Sequence, residues 1–401
     1  MYRHRSIILP VVTALCGVLL AISMIGIGEV FFRINSRFHW LKYREETLPP
    51  ATWAEGHSPA WEGLNLNYLD GLMAQKTVVD NQIEGYPDYQ NSQTLNQCDG
   101  DSLFSEPGWW MFRHPGCVIK ESLRLRRSGR LIYSVSYRSD ERALRVVPGT
   151  NHHSARPLIF MGASTTFGQG VEDDETFASR IAVQAPDFRA FNFGMSGFSP
   201  NQYLHMLRLR DVRTSGDFGA GGLIIYTHSG DPVNRVVGTM NWIADDNRGR
   251  SPYFVRSGND IVEKGTFDTG RPFLSRLYHW LYRSELLKFF AVDLPVVTSD
   301  DVEFYVQIVD EIRRESLARL GVDKFLFVIF PGETNFHSSL LESLRRYHID
   351  FIDYSGVDAV KLMKGHNSFP GEGHPTALMH RFYADLLLRD LKRQGYLSVN
   401  K

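Results

Sequence analysis

The chain reads as an α/β protein built on a parallel sheet, preceded by one transmembrane helix and a mixed, β-containing extension. Three observations predict this. From residue 157 onward, short apolar runs such as 158–161, 223–226 and 325–330 alternate with helical stretches, the pattern of strands buried on both faces. Residues 7–28, IILPVVTALCGVLLAISMIGIG, carry no charge. Residues 29–150 have neither pattern and are rich in loops, Pro and Asn.

The chain has 401 residues, and its 44 Lys+Arg against 45 Asp+Glu leave a net charge of −1. It is too apolar and too balanced for a disordered protein. It also lacks the basic excess that drives phosphate-backbone binding, so no nucleic-acid partner is expected.

The 7–28 run is long enough to cross a hydrocarbon core of about 30 Å as a helix. Arg3 and Arg5 precede it, which holds the leader on the cytoplasmic side and places everything after Glu29 outside. A cleaved signal peptide has a shorter apolar core, and here the run continues past the marginal Ala21-Ile22-Ser23 site. A lipoprotein needs a small residue before its cysteine, and Cys16 follows Leu15. The sequence therefore predicts a single-pass membrane protein with residues 1–28 as leader and signal anchor, and an extracytoplasmic C-terminal body (periplasmic in a Gram-negative cell). Cys98 and Cys117 are the other cysteines. They either remain buried thiols or form a disulfide, worth roughly 3 kcal/mol in the chain-entropy treatment and suited to an exported body. No cysteine has a metal-site spacing, so no metal and no cofactor is expected.

In the extension, 29–150, residues 131–138 alternate apolar and polar after Gly129 and predict a strand, paired in a hairpin with 118–127. Trp40, Trp53, Trp61, Trp109 and Trp110 fall in this part. They either stack on sugar or pack the extension against the main domain. The main domain, 157–395, then reads as strand 158–161, helix 175–185, strand 188–193, helix 201–210 and strand 223–226. Helix 301–320, strand 325–330, helix 338–347, strand 349–354 and a last helix from Pro375 to about Gln394 complete it. Residues 230–297, aromatic and rich in Gly and Arg, interrupt it as an insertion.

Ligands of such sheets bind beyond the carboxyl ends of the strands. The first strand ends in Gly162-Ala163-Ser164, so a tight turn presents Ser164 just before a helix, with backbone N–H groups nearby to receive an oxyanion. The second ends in Asn192-Phe193-Gly194-Met195-Ser196-Gly197, whose glycines let the backbone approach a substrate. Near the C-terminus, Glu372 stands two residues before His374, and Pro375 suits the first helical position, so His374 heads the last helix. Serine, imidazole and carboxylate together make an activated nucleophile.

On these blocks (162–182, 191–204 and 371–387) the chain resembles the SGNH, or GDSL-like, hydrolase superfamily, in its membrane-anchored bacterial form. The resemblance covers 157–395 and implies a flavodoxin-like three-layer fold. It also implies Ser164 as nucleophile, His374 as general base, and the Ser164 and Gly197 N–H groups as oxyanion hole. Two positions depart from the family pattern. Where the third block presents an Asn side chain as a further oxyanion donor, this chain has Gly230, with Asn234 and His228 as the candidate replacements. The family's acid is an Asp two or three residues before the His; here Glu372 is the orienter, with Asp353 and Asp358 in reserve. A lipase-type elbow is disfavoured because Thr166 stands where its second Gly belongs.

The expected activity is hydrolysis or transfer of an O-acyl group, acetyl on carbohydrate first, with an acylated small molecule or polysaccharide as partner. The alternative is a non-catalytic SGNH-like protein that binds or scaffolds during envelope polysaccharide assembly.

Overall fold

The computed structural model describes Gly26, Glu29, Val30 and residues 89–96, 115–125, 129–209, 214–258, 260–332, 336–363, 365–369 and 372–398. Apart from Gly26, the 7–28 run lies outside the described residues, as do Cys98 and the five extension tryptophans. Among the described residues no helix is long and apolar enough to cross a membrane.

An antiparallel sheet comes first, β1 (Tyr89–Asn96), β2 (Val118–Leu125) and β3 (Leu131–Arg138), in that order. The predicted hairpin is present, with Val118 opposite Arg138 and Leu123 opposite Tyr133. A third strand joins its outer edge, Tyr89 opposite Leu125. Alternate residues Tyr133, Val135 and Tyr137 face inward with Ile119 and Leu123, and they pack on Phe167 of the main domain. Cys117, at the start of β2, is buried and disulfide-bonded.

The main domain begins with β4 (Pro157–Met161) and the one-turn helix α1 (Ser164–Phe167). Next come a 3-10 turn (Asp173–Glu175), α2 (Phe177–Gln184), β5 (Arg189–Asn192), α3 (Pro200–Leu209) and β6 (Gly222–His228). The insertion contributes α4 (Pro232–Val237), α5 (Met240–Ala244), the hairpin β7 (Pro252–Ser257) and β8 (Asp260–Thr266), then α6 (Phe267–Gly270), α7 (Pro272–Leu281) and α8 (Glu285–Phe289). The long α9 (Ser299–Arg319), β9 (Val322–Ile329), α10 (His337–Arg346), β10 (Asp350–Asp353), α11 (Ala359–Leu362) and α12 (Ala377–Arg393) complete the chain.

The five main strands form one parallel sheet in the order β10-β9-β6-β4-β5. Numbered along the domain this is 2-1-3-4-5 read from the other edge, the flavodoxin-like winding. Every residue of β4 and of β6 is buried, because helices cover both faces. Ile159 and Met161 join the side of α3, α9 and α10, whereas Leu158 and Phe160 join the side of α2 and α12. The chain leaves β4 toward β5 on one side and returns to β6 on the other. In such sheets ligands bind at the carboxyl ends of the strands flanking that switch, and Ser164 stands just beyond the end of β4.

The last helix departs from expectation. Pro375 is not its first residue: Thr376 is the cap, its hydroxyl accepting from the Met379 N–H at 3.3 Å, and the helix starts at Ala377. A threonine hydroxyl satisfies an N–H that would otherwise be orphaned at the helix start. His374 therefore sits on a loop two residues ahead of the cap.

Candidate active site

The turn that presents Ser164 is set by close approach. Gly162 follows β4 with φ +157, and a Cβ there would overlap the hydroxyls of Thr166 and Thr227. Those hydroxyls bond each other at 2.5 Å, tying α1 to the end of β6. Ser164 is the first residue of α1, and its carbonyl accepts from Gly168 N–H (2.8 Å) and Gln169 N–H (3.1 Å). Its side chain is partly exposed and its hydroxyl has no hydrogen bond among the described residues. At a helix start the Ser164 N–H has no intrahelical acceptor, so it remains available to an anion.

The second strand end is locked onto the first. Asn192, wholly buried, donates from Nδ2 to the Thr166 carbonyl (3.0 Å) and accepts from the Gly194 N–H (2.9 Å). Gly194 lies so close that a Cβ would run into the Phe167 backbone nitrogen. Tyr203 reaches up from α3, its hydroxyl accepting from Gly162 N–H (3.1 Å) and lying 2.7 and 2.6 Å from the Gly162 and Phe193 carbonyls. Gly197 takes φ +71 in the turn that follows and is partly exposed with Ser196, while the residues on either side of the pair are buried. Ser196 Oγ donates to Gln169 at 2.5 Å, so this turn rests on the loop leaving α1.

The histidine loop closes on itself. Phe369 N–H donates to the His374 carbonyl (2.9 Å), and the Phe369 carbonyl accepts from Glu372 N–H (3.2 Å) and Gly373 N–H (3.0 Å). Glu372 bonds the His374 ring at Nδ1 and accepts from the His374 N–H at 3.0 Å. The carboxylate therefore fixes the tautomer with the proton on Nδ1 and leaves Nε2 as the basic atom. The loop meets the segment that leaves α1 through Phe369. Its ring stands where a Cβ on Gly170 would be and packs on Tyr133 at 5.0 Å between centroids.

The two reserve acids serve elsewhere. Asp353 bonds His337 (2.9 Å) and the Ser355 N–H (2.9 Å), and Asp358 caps α11 at the Lys361 N–H (2.9 Å). Near the third strand end, His228 is buried, with Nδ1 on the Tyr305 hydroxyl at 2.9 Å. Burial, with His337 adding, pushes it down to about 4, so it is a neutral imidazole. Asn234 is partly exposed in the first turn of α4.

Sequence reasoning missed three groups. Arg235 donates to the Phe198 carbonyl at 2.8 Å, and its Nη2 faces the place where a Cβ on Gly230 would stand, 3.7 Å away. Burial first, and then Arg248, lower this guanidinium to about 10, so it remains a cation at neutral pH. It is the charged donor nearest the position that lacks a side chain. Arg145 binds the carbonyls of Phe167, Gly168 (2.6 Å) and Val171 (2.7 Å) and pairs with Asp173 at 3.0 Å. Glu121, buried on β2, accepts from the Tyr133 hydroxyl (3.3 Å) and the Tyr137 hydroxyl, and Tyr137 in turn accepts from the Gly170 N–H at 2.9 Å. The described part of the extension thereby packs against the segment that leaves α1. A polar contact between segments far apart in sequence leaves no local pattern, so none of the three was legible from spacing. Among the described residues no cluster of His, Cys, Asp and Glu could hold a metal ion.

No known family's sequence profile matches the chain, and no curated protein matches it in sequence. Solved structures do resemble it. A lipolytic protein of the G-D-S-L family from Veillonella parvula aligns at 13% identity over 59% of this chain and 99% of its own, with a TM-score of 0.35. A lipase/acylhydrolase from Enterococcus faecalis aligns at 12% over 61% and 99% (TM-score 0.33). An acetyl xylan esterase from Butyrivibrio proteoclasticus aligns at 11% over 77% and 87% (TM-score 0.34). At these values the likeness assigns no activity, and function has to be read from the residues of the site.

Proposed function

We propose that the chain is a membrane-anchored, extracytoplasmic serine esterase of the SGNH type, hydrolysing or transferring an O-acyl group, acetyl on carbohydrate first. The observation that carries this is the Glu372–His374 pair, joined at Nδ1, on a loop whose Phe369 packs on Gly170, six residues after Ser164. Export is supported by the uncharged 7–28 run behind Arg3 and Arg5, and by the disulfide-bonded Cys117, with Cys98 as its proposed partner.

In the reaction, Ser164 Oγ attacks the acyl carbon while His374 Nε2 takes the hydroxyl proton. The developing oxyanion is received by the Ser164 and Gly197 N–H groups, with the Arg235 cation supplying the third donor that Gly230 lacks. His374 returns the proton to the departing alcohol, and the acyl-serine is then cleaved by water, or by a sugar hydroxyl if the group is transferred. Among the described residues no hydrogen bond joins Ser164 to His374. Such pairs commonly tighten only when substrate is bound.

The test is direct. The full chain in detergent should hydrolyse p-nitrophenyl acetate and be labelled by a fluorophosphonate, and Ser164→Ala should abolish both. A folded wild-type protein that neither turns over the ester nor takes the label overturns the proposal, and leaves the reading as a non-catalytic binding or scaffold protein.

A further inference from the structure

Helix α7 is apolar on both sides. Inward, Tyr278 is buried and Leu274 and Leu281 are half-buried against Met240, Ile243 and Phe267. Outward, Phe273, Leu277 and Trp280, at spacings of four and three, are 85%, 46% and 68% exposed. A soluble helix keeps polar residues on its outer face, and bulky apolar side chains grouped in the open mark a surface meant to be covered. Arg276 shares that face, and α7 holds no acidic residue.

What covers it is indicated by where the chain enters the folded body. Glu29, the first residue after the uncharged run, accepts from the Ser284 hydroxyl (2.7 Å), the Glu285 N–H (3.0 Å) and the Leu286 N–H (3.2 Å). Ser284 lies three residues beyond the last residue of α7. Val30 beside it is 57% exposed, and so is Val296 at 74% on the segment that leaves the insertion. Of the basic side chains of residues 268–288, Arg271 is turned inward onto the Gly238 carbonyl and Lys288 pairs with Glu285 at 3.1 Å, whereas Arg276 and Arg283 are exposed, cations of the kind that anionic headgroups attract.

We infer that the outer face of α7, through Phe273, Leu277 and Trp280, lies in the headgroup layer of the same bilayer that residues 7–28 cross. This rests on the membrane-anchor reading. Trp and Phe on an interfacial helix sit at the boundary of headgroup and acyl chain, with Arg reaching outward to phosphate. The anchor then does more than tether. With Glu29 bonded to the start of α8, a second contact at α7 fixes the body's orientation, and the insertion that carries α7 is rooted at the carboxyl end of β6 beside the active site.

The test uses the full chain with Cys16→Ser, reconstituted in phosphatidylethanolamine–phosphatidylglycerol vesicles. It carries an environment-sensitive thiol label at Phe273→Cys, at Trp280→Cys or, as control, at Val183→Cys, which is 60% exposed on α2 across the sheet. Labels at 273 and 280 should shift to the blue and lose intensity when doxyl-labelled lipid is included; the label at 183 should do neither. Labels at 273 and 280 that stay as aqueous as the control overturn the inference. So does a blue shift that doxyl lipid leaves unquenched, which assigns the face to a second copy of the chain. Carbonate extraction reads the anchor separately. Protein that resists extraction while 273 remains aqueous keeps the anchor and loses the docking face. Protein that is extracted while 273 had been quenched keeps the docking face and loses the anchor. Phe273→Ser/Trp280→Ser should leave p-nitrophenyl acetate hydrolysis in detergent unchanged, since neither residue belongs to the site.

Discussion

Arg145 and Asp173 form a buried ion pair at 3.0 Å against the turn that leaves α1. The Arg145 side chain is wholly enclosed between the rings of Tyr137 and Phe167, 4.7 and 4.6 Å from its guanidinium carbon. Its remaining N–H groups point at the carbonyls of Phe167, Val171 and Gly168, the last of which also accepts from the Val171 N–H at 3.3 Å.

Replacing Arg145 should therefore be costly in stability. Removing one member of a buried pair costs about 3–5 kcal/mol. Asp173 keeps Arg138 at 2.8 Å, so Arg145→Met should fall toward about 3 kcal/mol, the loss being borne mainly by the three carbonyls. Arg145→Lys keeps the charge but not the fork, and one ammonium cannot serve four acceptors in these directions. Its denaturant midpoint should lie between wild type and Arg145→Met. A midpoint unchanged in both variants would show that the turn holds its shape without the arginine.

Gly194 supplies a second prediction, one that concerns rate. No left-handed backbone is needed there; the constraint is the Phe167 backbone pressed against it. Arg145 holds the Phe167 carbonyl, and Asn192 ties the Thr166 carbonyl to the Gly194 N–H, so a shift of that backbone breaks these bonds. Gly194→Ala should cost about 1–3 kcal/mol by overpacking. If it displaces Ser164 by an ångström, it should also lower kcat about 100-fold. Fluorophosphonate labelling rates of folded protein measure this, and a wild-type rate would mean the two loops move independently.

The contrast between these residues shows what the sequence could reveal. β4, β6 and β9 were legible because a strand covered on both faces is a continuous apolar run, and the carboxyl ends of β4 and β5 placed Ser164 and Gly197. Glu372 and His374 were legible because the pair is local, two residues apart. β1 was not: YQNSQTLN has no apolar alternation, and its place comes from pairing with β2. Arg145, Glu121 and Arg235 were equally hidden, since a buried charge is identified only by partners the fold brings to it. Pro375 misled because a proline suits a helix start, yet the Thr376 hydroxyl competes for that role and wins.

Arg235 bears on the missing side chain at Gly230. A guanidinium facing that space can stabilise the oxyanion as an amide would, and with a full charge. Removing one oxyanion donor costs about 10²–10³ in kcat, so Arg235→Gln should lower kcat by that factor, and Arg235→Lys should recover part of it. KM should change little if the contact is made mainly in the transition state. A loss confined to KM would place Arg235 in substrate binding and leave the third donor to Asn234 or His228.

Acid should weaken the fold through two histidines the reaction does not need. His380, wholly buried with Nδ1 accepting from the Phe177 N–H at 3.3 Å, is pushed by burial down to about 3, and His228 to about 4. Both folded values lie below the ordinary 6.5. As pH falls through 6.5 the unfolded chain takes up these protons and the folded chain does not, so stability present at pH 7 is lost on acidification. Each histidine contributes a limiting slope of about 1.4 kcal/mol per pH unit between roughly pH 6 and its folded value. Asp140 and Glu172, raised by burial, work in the opposite sense, nearer the carboxylate range. Between pH 6 and 5 the histidines should dominate, and the denaturant midpoint should fall steadily. His380→Gln removes one of the two titrating groups, so its slope over that interval should be about half that of wild type, although its stability at pH 7 is lower. An unchanged slope in His380→Gln would mean that His380 takes up its proton in the folded protein as readily as in the unfolded chain.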